Sequence, residues 1–353
     1  MVEWKRIGDV TNIVRGSRVT KSDLFVGGKY PVISGGFSPL GYIDKYNREE
    51  YTITIAQYGS AGYVDWQVEK FWANDVCYSV YPTGNLSNRY LFFTLINKQY
   101  DIYSLRTNAV PAHLPLNSLQ DILIPIPSLS EQTRIVGILD TFTASIENLK
   151  QQIAERRKQY EHYRDQLLDL EGKEGIEMKV VSYFVKDRII ANELTPQNYT
   201  SVENLLKDKA GRKDSESVPI EGNWIRYQKG DVLIGNIRPY LRKIWLSDRD
   251  GGTNGDVIVV RANNEFLPAY MYYCLSSERF FLYYNQSLKD GKMPRGEKSR
   301  VLSYVIPKVG LNEQSHIVSI LDTFEASIAN LEAQLKEREK QYEYYRNKLL
   351  TFG

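Results

Sequence analysis

Apolar side chains fall in steps of four and three along two stretches of this chain. In the first, Ile135, Leu139, Phe142, Ile146, Leu149, Ile153, Arg156, Tyr160, Tyr163 and Leu167 follow one another at that spacing. In the second, the same spacing links Ile317, Leu321, Phe324, Ile328, Leu331, Leu335, Arg338, Tyr342, Tyr345 and Leu349. A stripe that repeats every 3.5 residues is the seam of a left-handed coiled coil, because a straight helix drifts off a seven-residue period. Each stretch is therefore expected to be one long helix. The one irregularity is Arg156 and Arg338 at apolar positions, which fits aliphatic stems packed in the seam with the guanidinium groups reaching out, or else a contact with a partner protein.

The two stretches are copies. EQTRIVGILDTF (131–142) returns as EQSHIVSILDTF (313–324), and over 131–170 and 313–352 the chain agrees with itself at 25 of 40 positions. A 182-residue offset is too long for a solenoid unit and marks a duplicated half. Both copies follow prolines, in LIPIPSLSEQ and YVIPKVGLNEQ, with Ser130 or Asn312 as the expected N-cap and Glu131 or Glu313 at the positive helix end. At 1.5 Å per residue each helix spans about 60 Å. Two seams in one chain pair most economically with each other. The short connection EGKEGIEM (171–178) makes that pair antiparallel and relates the halves by a pseudo-two-fold axis.

Before each helix lies a segment with shorter periods. TITIAQYGSAGYV (52–64) parallels DVLIGNIRPYLRKI (231–244), NDVCYSV (74–80) parallels GDVIVVR (255–261), and RYLFFTL (89–95) parallels AYMYYCL (269–275). At the helix offset TNAVPAHL (107–114) aligns with KDGKMPRG (289–296). Strand, loop, strand, helix, loop, strand is the order in both, punctuated by Gly, Pro and Asn. The expected fold is α+β: two mixed domains at 1–129 and 179–310, helices at 130–170 and 311–353, and a linker at 171–178.

Composition narrows the function. The net charge of +2 with a quarter of residues charged gives no whole-molecule field, so any nucleic-acid surface must be a local patch. Two cysteines without CxxC and three scattered histidines, His113, His162 and His316, argue against a metal site. No stretch is apolar enough for a signal core or a membrane span, and the expectation is a soluble, cytoplasmic protein.

The loops differ where the scaffolds match. The first segment offers Gln57, Tyr58, Arg106, Asn108 and His113; the second offers Asn236, Arg238, Tyr240, Arg242, Lys243, Lys289, Lys292 and Arg295. Arg, Asn and Gln are the side chains that bond base edges in pairs, while Lys and further Arg suit phosphates. One scaffold carrying two loop sets is what reading two different half-sites would need. A surface arginine is by itself more often simply solvated.

The duplicated PxP…EQ…IV…LD.F helix starts, the endings KQYEHYRDQLL and KQYEYYRNKLL, and pieces such as FW.NDVCY, NIRPYLRK and KMPRG resemble the specificity subunit of type I restriction-modification systems over essentially the whole chain. The resemblance implies two target recognition domains that read the halves of a split sequence in double-stranded DNA, held apart by an antiparallel helical spacer. It implies a non-catalytic subunit that recruits two methyltransferase subunits and, in the full complex, two restriction subunits. No cofactor is then expected on this chain. S-adenosylmethionine, ATP and magnesium belong to the partners.

Motifs agree with that division of labour. No NPPF-like or DPPY-like run exists for a flipped adenine. VGGKYP (26–31) lacks the first glycine and the hydroxyl of a phosphate loop. The triplets Glu171-Gly172-Lys173 and Glu177-Met178-Lys179 have no preceding Pro-Asp to make a nuclease cluster. Two alternatives stay open: a coiled-coil scaffold whose heads bind proteins, which would lack salt-dependent DNA affinity, and a DNA reader serving one fused methyltransferase-nuclease.

Overall fold

The computed structural model describes residues 2–286, 288 and 293–352. It divides into two compact units, residues 1–151 with 333–353 and residues 152–332. Each long helix contributes to both: the first runs Leu129–Leu167 and the second Leu311–Leu350.

In the first unit a four-stranded antiparallel sheet has Thr11–Arg15 at one edge, then Cys77–Pro82, Thr52–Ala56 and Val64–Gln67. The central strand TITIA is buried at all five positions, which suits its run of β-branched residues. Ile53, Ile55, Tyr78 and Val80 form one core with Leu91, Phe93 and Leu95 of helix Asn88–Asn97 and with Ile135 and Leu139 of the first long helix. A small second sheet joins Tyr30–Ile33 antiparallel to Tyr42–Ile43 and parallel to Trp72–Ala73. Strand Glu3–Arg6 pairs with Leu123–Ile126, just before the long helix begins.

The second unit repeats this topology. Its sheet runs Ser182–Phe184, Val257–Ala262, Val232–Gly235, Ile244–Leu246, all antiparallel. Alternation shows that both faces are covered: Val232, Ile234, Ile258 and Val260 face the helices, while Leu233, Val257 and Val259 face Leu205 and Tyr227. A second sheet includes Tyr199–Thr200 parallel to Gly251–Thr253. Strand Gly175–Glu177, inside the expected linker 171–178, pairs with Val305–Pro307 as Glu3–Arg6 does with its partner. The chain thus re-enters ordered structure within a few residues of leaving the first helix.

Both long helices begin two residues before the starts that the expected caps Ser130 and Asn312 would give. Ser128, not Ser130, caps the first: its Oγ accepts from the Glu131 N–H at 3.4 Å. Asn312 is likewise inside the first turn, where the Gln314 N–H donates to the Gly310 carbonyl at 2.9 Å. The glutamine of the repeated EQ pair does more than start a helix. Gln132 is buried, its Oε1 accepts from Ser87 N–H at 2.8 Å, and its Nε2 donates to the carbonyls of Asn85 and Pro127. Gln314 does the same with Leu267 N–H, Glu265 and Val309. Each glutamine so ties the start of the long helix to the turn that opens a helix earlier in the same unit, Asn88–Asn97 or Pro268–Leu275.

The stripe serves two partners. Ile135, Leu139 and Ile317, Leu321 enter the domain cores, whereas Ile146, Leu149 and Ile153 are buried beyond them and Ile328, Leu331 and Leu335 are half-buried. Within the first unit Phe142 stacks on Tyr345 at 5.3 Å, and within the second Phe324 stacks on Tyr163 at 5.5 Å. The seam arginines follow the same rule: Arg338 lies 5.7 Å from the Phe142 ring and Arg156 5.8 Å from the Phe324 ring, a cation–π contact to which each aliphatic stem leads. The helix ends also join the cores. Leu350, flanked by Tyr342 and Leu349, packs into the first unit's core, and Leu168, flanked by Tyr160 and Leu167, into the second's.

Candidate nucleic-acid interface

Strand Thr52–Ala56 runs into the loop Gln57–Tyr63, and the structure lays a second loop, 105–114, across it. Tyr58 and His113 form an isolated antiparallel bridge, and the Leu114 N–H donates to the Gln57 carbonyl at 2.9 Å. The rings of Tyr58 and His113 stack at 5.4 Å and 23°. Thr107 fixes the imidazole, its Oγ1 lying 3.0 Å from Nδ1 and accepting from the His113 backbone N–H at 3.1 Å, so the Nε2 edge carries no contact with this clasp. Arg106 folds back over Tyr103, donating to its carbonyl at 2.8 Å with the guanidinium 4.7 Å from the ring. Asn108 is exposed at the loop tip. The side-chain carbonyl oxygen of Gln57 is buried without a hydrogen-bond partner, an unmet acceptor worth about 1–3 kcal/mol to satisfy.

A third loop, unremarked in the sequence, joins this patch. Residues 34–41 approach so closely that Ser60 N–H donates to the Gly35 carbonyl at 2.6 Å. A Cβ on Gly35 would stand 2.3 Å from the Tyr58 carbonyl oxygen; the signal for this contact was the paired glycines of ISGGF and YGS.

The second unit brings the matching loops together. After strand Val232–Gly235, Ile237 bridges Arg295, Arg238 N–H donates to the Pro294 carbonyl at 2.8 Å, and Gly296 N–H to the Asn236 carbonyl at 3.2 Å. Its candidates take different roles. Asn236 is buried and accepts from the Tyr284 hydroxyl at 2.6 Å, and Lys243 donates to the Val202 carbonyl at 2.6 Å, so both hold the loop in place. Burial, and then the nearby charge of Lys207, lowers the Lys243 pKa. Arg242 pairs with Glu278 at 2.8 Å and Arg295 with Asp256 at 3.0 Å, both pairs partly open to solvent. Arg238 and Arg242, in left-handed conformation, flank the turn Pro239–Leu241 that exposes Tyr240. Lys289 and Lys292 lie outside the described residues.

The two patches therefore share a backbone device and differ in chemistry, one aromatic and amide-rich, the other cationic. Among the described residues no three or more His, Cys, Asp or Glu side chains are placed to hold a metal ion, and no helix is long and apolar enough to cross a membrane.

Comparison with known proteins places this architecture. The family described as "Type I restriction modification DNA specificity domain" matches residues 1–156 and again 188–340. A Haemophilus influenzae protein named as a type I restriction enzyme specificity subunit is 31% identical over all of this chain and 96% of its own length. The EcoR124I/EcoR124II specificity subunit of Escherichia coli is 29% identical over 65% of this chain and 63% of its own. The fold is that of the crystallised S subunit of a type I restriction-modification system from M. genitalium, with a TM-score of 0.70 at 18% identity, covering 100% of this chain and 97% of that one. With the family matched twice, once in each half, the chain belongs to the type I restriction-modification DNA specificity subunits.

Proposed function

We propose that the chain reads a bipartite sequence in double-stranded DNA, one half-site by each domain, and that its two long helices pair as an antiparallel coiled coil that sets the distance between the halves. The observation that carries this reading is the matched loop bridge, Tyr58 to His113 in one unit and Ile237 to Arg295 in the other: the same backbone register presents different side chains. Base edges in the major groove are told apart by such side chains, whereas phosphate contacts only position the protein. Tyr58, Gln57, Asn108 and His113, with Arg106, then serve the first half-site; Arg238, Tyr240, Arg242 and Arg295, with Lys289 and Lys292, serve the second; and Asn236 and Lys243 support the second loop. The ring stacks Phe142 on Tyr345 and Tyr163 on Phe324 support the helix pairing.

In this reading the chain does no chemistry. Two methyltransferase subunits would supply S-adenosylmethionine and modify adenine, and two restriction subunits would use ATP and magnesium, in the cytoplasm. The test is to co-express the chain with the methyltransferase encoded beside it and map modified adenines genome-wide. A two-part motif with a fixed gap, lost when the chain is omitted, is expected. Methylation that is contiguous, or unchanged without the chain, would overturn the proposal.

A further inference from the structure

Phe37 sits on the loop 34–41, the residue 69% exposed and its ring edge-on to Tyr63 at 4.9 Å. A single exposed hydrophobe is ordinary on a protein surface. What sets this one apart is the way it is held. Gly35 and Gly59 let two loops approach within a distance no side chain would allow: a Cβ on either glycine would come within 2.6 Å of the other loop's backbone. Gly59 also needs its positive φ of 71°. That contact fixes the Phe37 loop against the loop carrying the Tyr58–His113 stack. At the root of the loop, Asn74 Nδ2 donates to Ser34 Oγ at 3.3 Å.

The second unit treats the equivalent loop in the opposite way. It follows Tyr199–Thr200, the counterpart of Tyr30–Ile33 in its parallel pairing, and there Leu205 is buried completely while Val202 and Leu206 are half-buried. The exposed Phe37 ring thus belongs to this loop of the first patch, whereas the ring the second patch exposes, Tyr240, carries a hydroxyl and stands on a different loop.

We propose that Phe37 is a specificity-determining side chain of the first half-site, meeting the C5 methyl group of a thymine in the major groove. The inference rests on the bipartite reading above. Thymine is the base whose major-groove edge presents a methyl group, and an aromatic hydrocarbon is a fitting partner for it. Tyr58 and His113 beside it offer hydroxyl and imidazole groups for the polar edges of neighbouring bases. Sequence gave no hint of Phe37, because one Phe in a Gly-rich loop has no periodicity to mark it.

The test uses the full chain co-purified with its methyltransferase. The wild-type motif is mapped first; absence of any two-part motif would overturn the bipartite reading and this inference with it. Each thymine of the first half-site is then replaced by uracil, which lacks only the methyl group. At one position wild type is expected to bind the thymine duplex about fourfold more tightly, the size of one buried methyl group. Phe37→Ala should bind both duplexes alike, and Phe37→Leu should keep most of the preference, with second half-site and gap unchanged. Several results overturn the inference: no thymine in the first half-site, no uracil effect on wild type, or a preference that survives in Phe37→Ala. So does an equal loss on both duplexes, which would mark Phe37 as a wedge or a backbone contact.

Discussion

Gln132 and Gln314 lie on the seam itself, three residues before Ile135 and Ile317, so the stripe begins with a polar side chain in each copy. A polar group at a core position must find partners, and each of these finds three backbone groups. Replacing Gln132 by Leu would leave one buried N–H and two carbonyls unmet, at about 1–3 kcal/mol for each group that water cannot reach. The expected outcome is a clear drop in the denaturant midpoint of the full chain, whereas Glu131→Gln, on the exposed side of the same turn, should leave the midpoint in place. An equal midpoint for both variants would remove the clamp from the account. The seven-residue period extends back to these glutamines, but a cap-type residue two positions before each, Ser130 or Asn312, masks them in the sequence. Asn236 shows the reverse: a residue type suited to base edges is spent on Tyr284, and only the fold could reveal that.

The long helices were legible from spacing alone, and so was the repeated order of strands and helices that precedes them. The small parallel pairs were not: Tyr30–Ile33 finds Trp72–Ala73 across some forty residues, and two-residue strands are too short to show a period. The loop bridges escaped for the same reason, because pairing between distant loops leaves no local pattern. Within the helices, however, the division of the stripe is physical and testable. Its ends are committed to domain cores, while the stretch around Gln151 and Ala333, where the compact units divide, touches no core cluster. Four residues inserted there in each helix would add about 6 Å of helix. On the spacer reading, mapped methylation should keep both half-sites and lengthen the gap by about one or two base pairs. Altered half-sites with an unchanged gap would contradict it.

The two halves also exchange their helix ends in a way that the repeat makes interchangeable. The first unit's core is completed by Leu349 and Leu350 and its ring stack by Tyr345; the second unit's uses Leu167, Leu168 and Tyr163. Each member of one set is the same residue as its counterpart 182 positions away. A fragment of residues 1–178 would therefore carry a domain that lacks its closing helix end, together with a helix end fitted to such a domain. Two copies satisfy each other: Leu168 of one fills the place of Leu350 in the other, and Tyr163 takes the place of Tyr345 against Phe142. The apolar groups left bare in a monomer make the monomer the less stable state. The closest departure is Phe352, where the fragment offers Leu170, a smaller apolar group at the rim of the core. We expect the fragment to be a dimer at micromolar concentration by light scattering, and Leu168→Asp to be monomeric. With the methyltransferase present, the dimer should modify a palindromic split site built from the first half-site twice. A fragment that remains monomeric at that concentration would show that the two seams, though nearly identical in sequence, are not exchangeable.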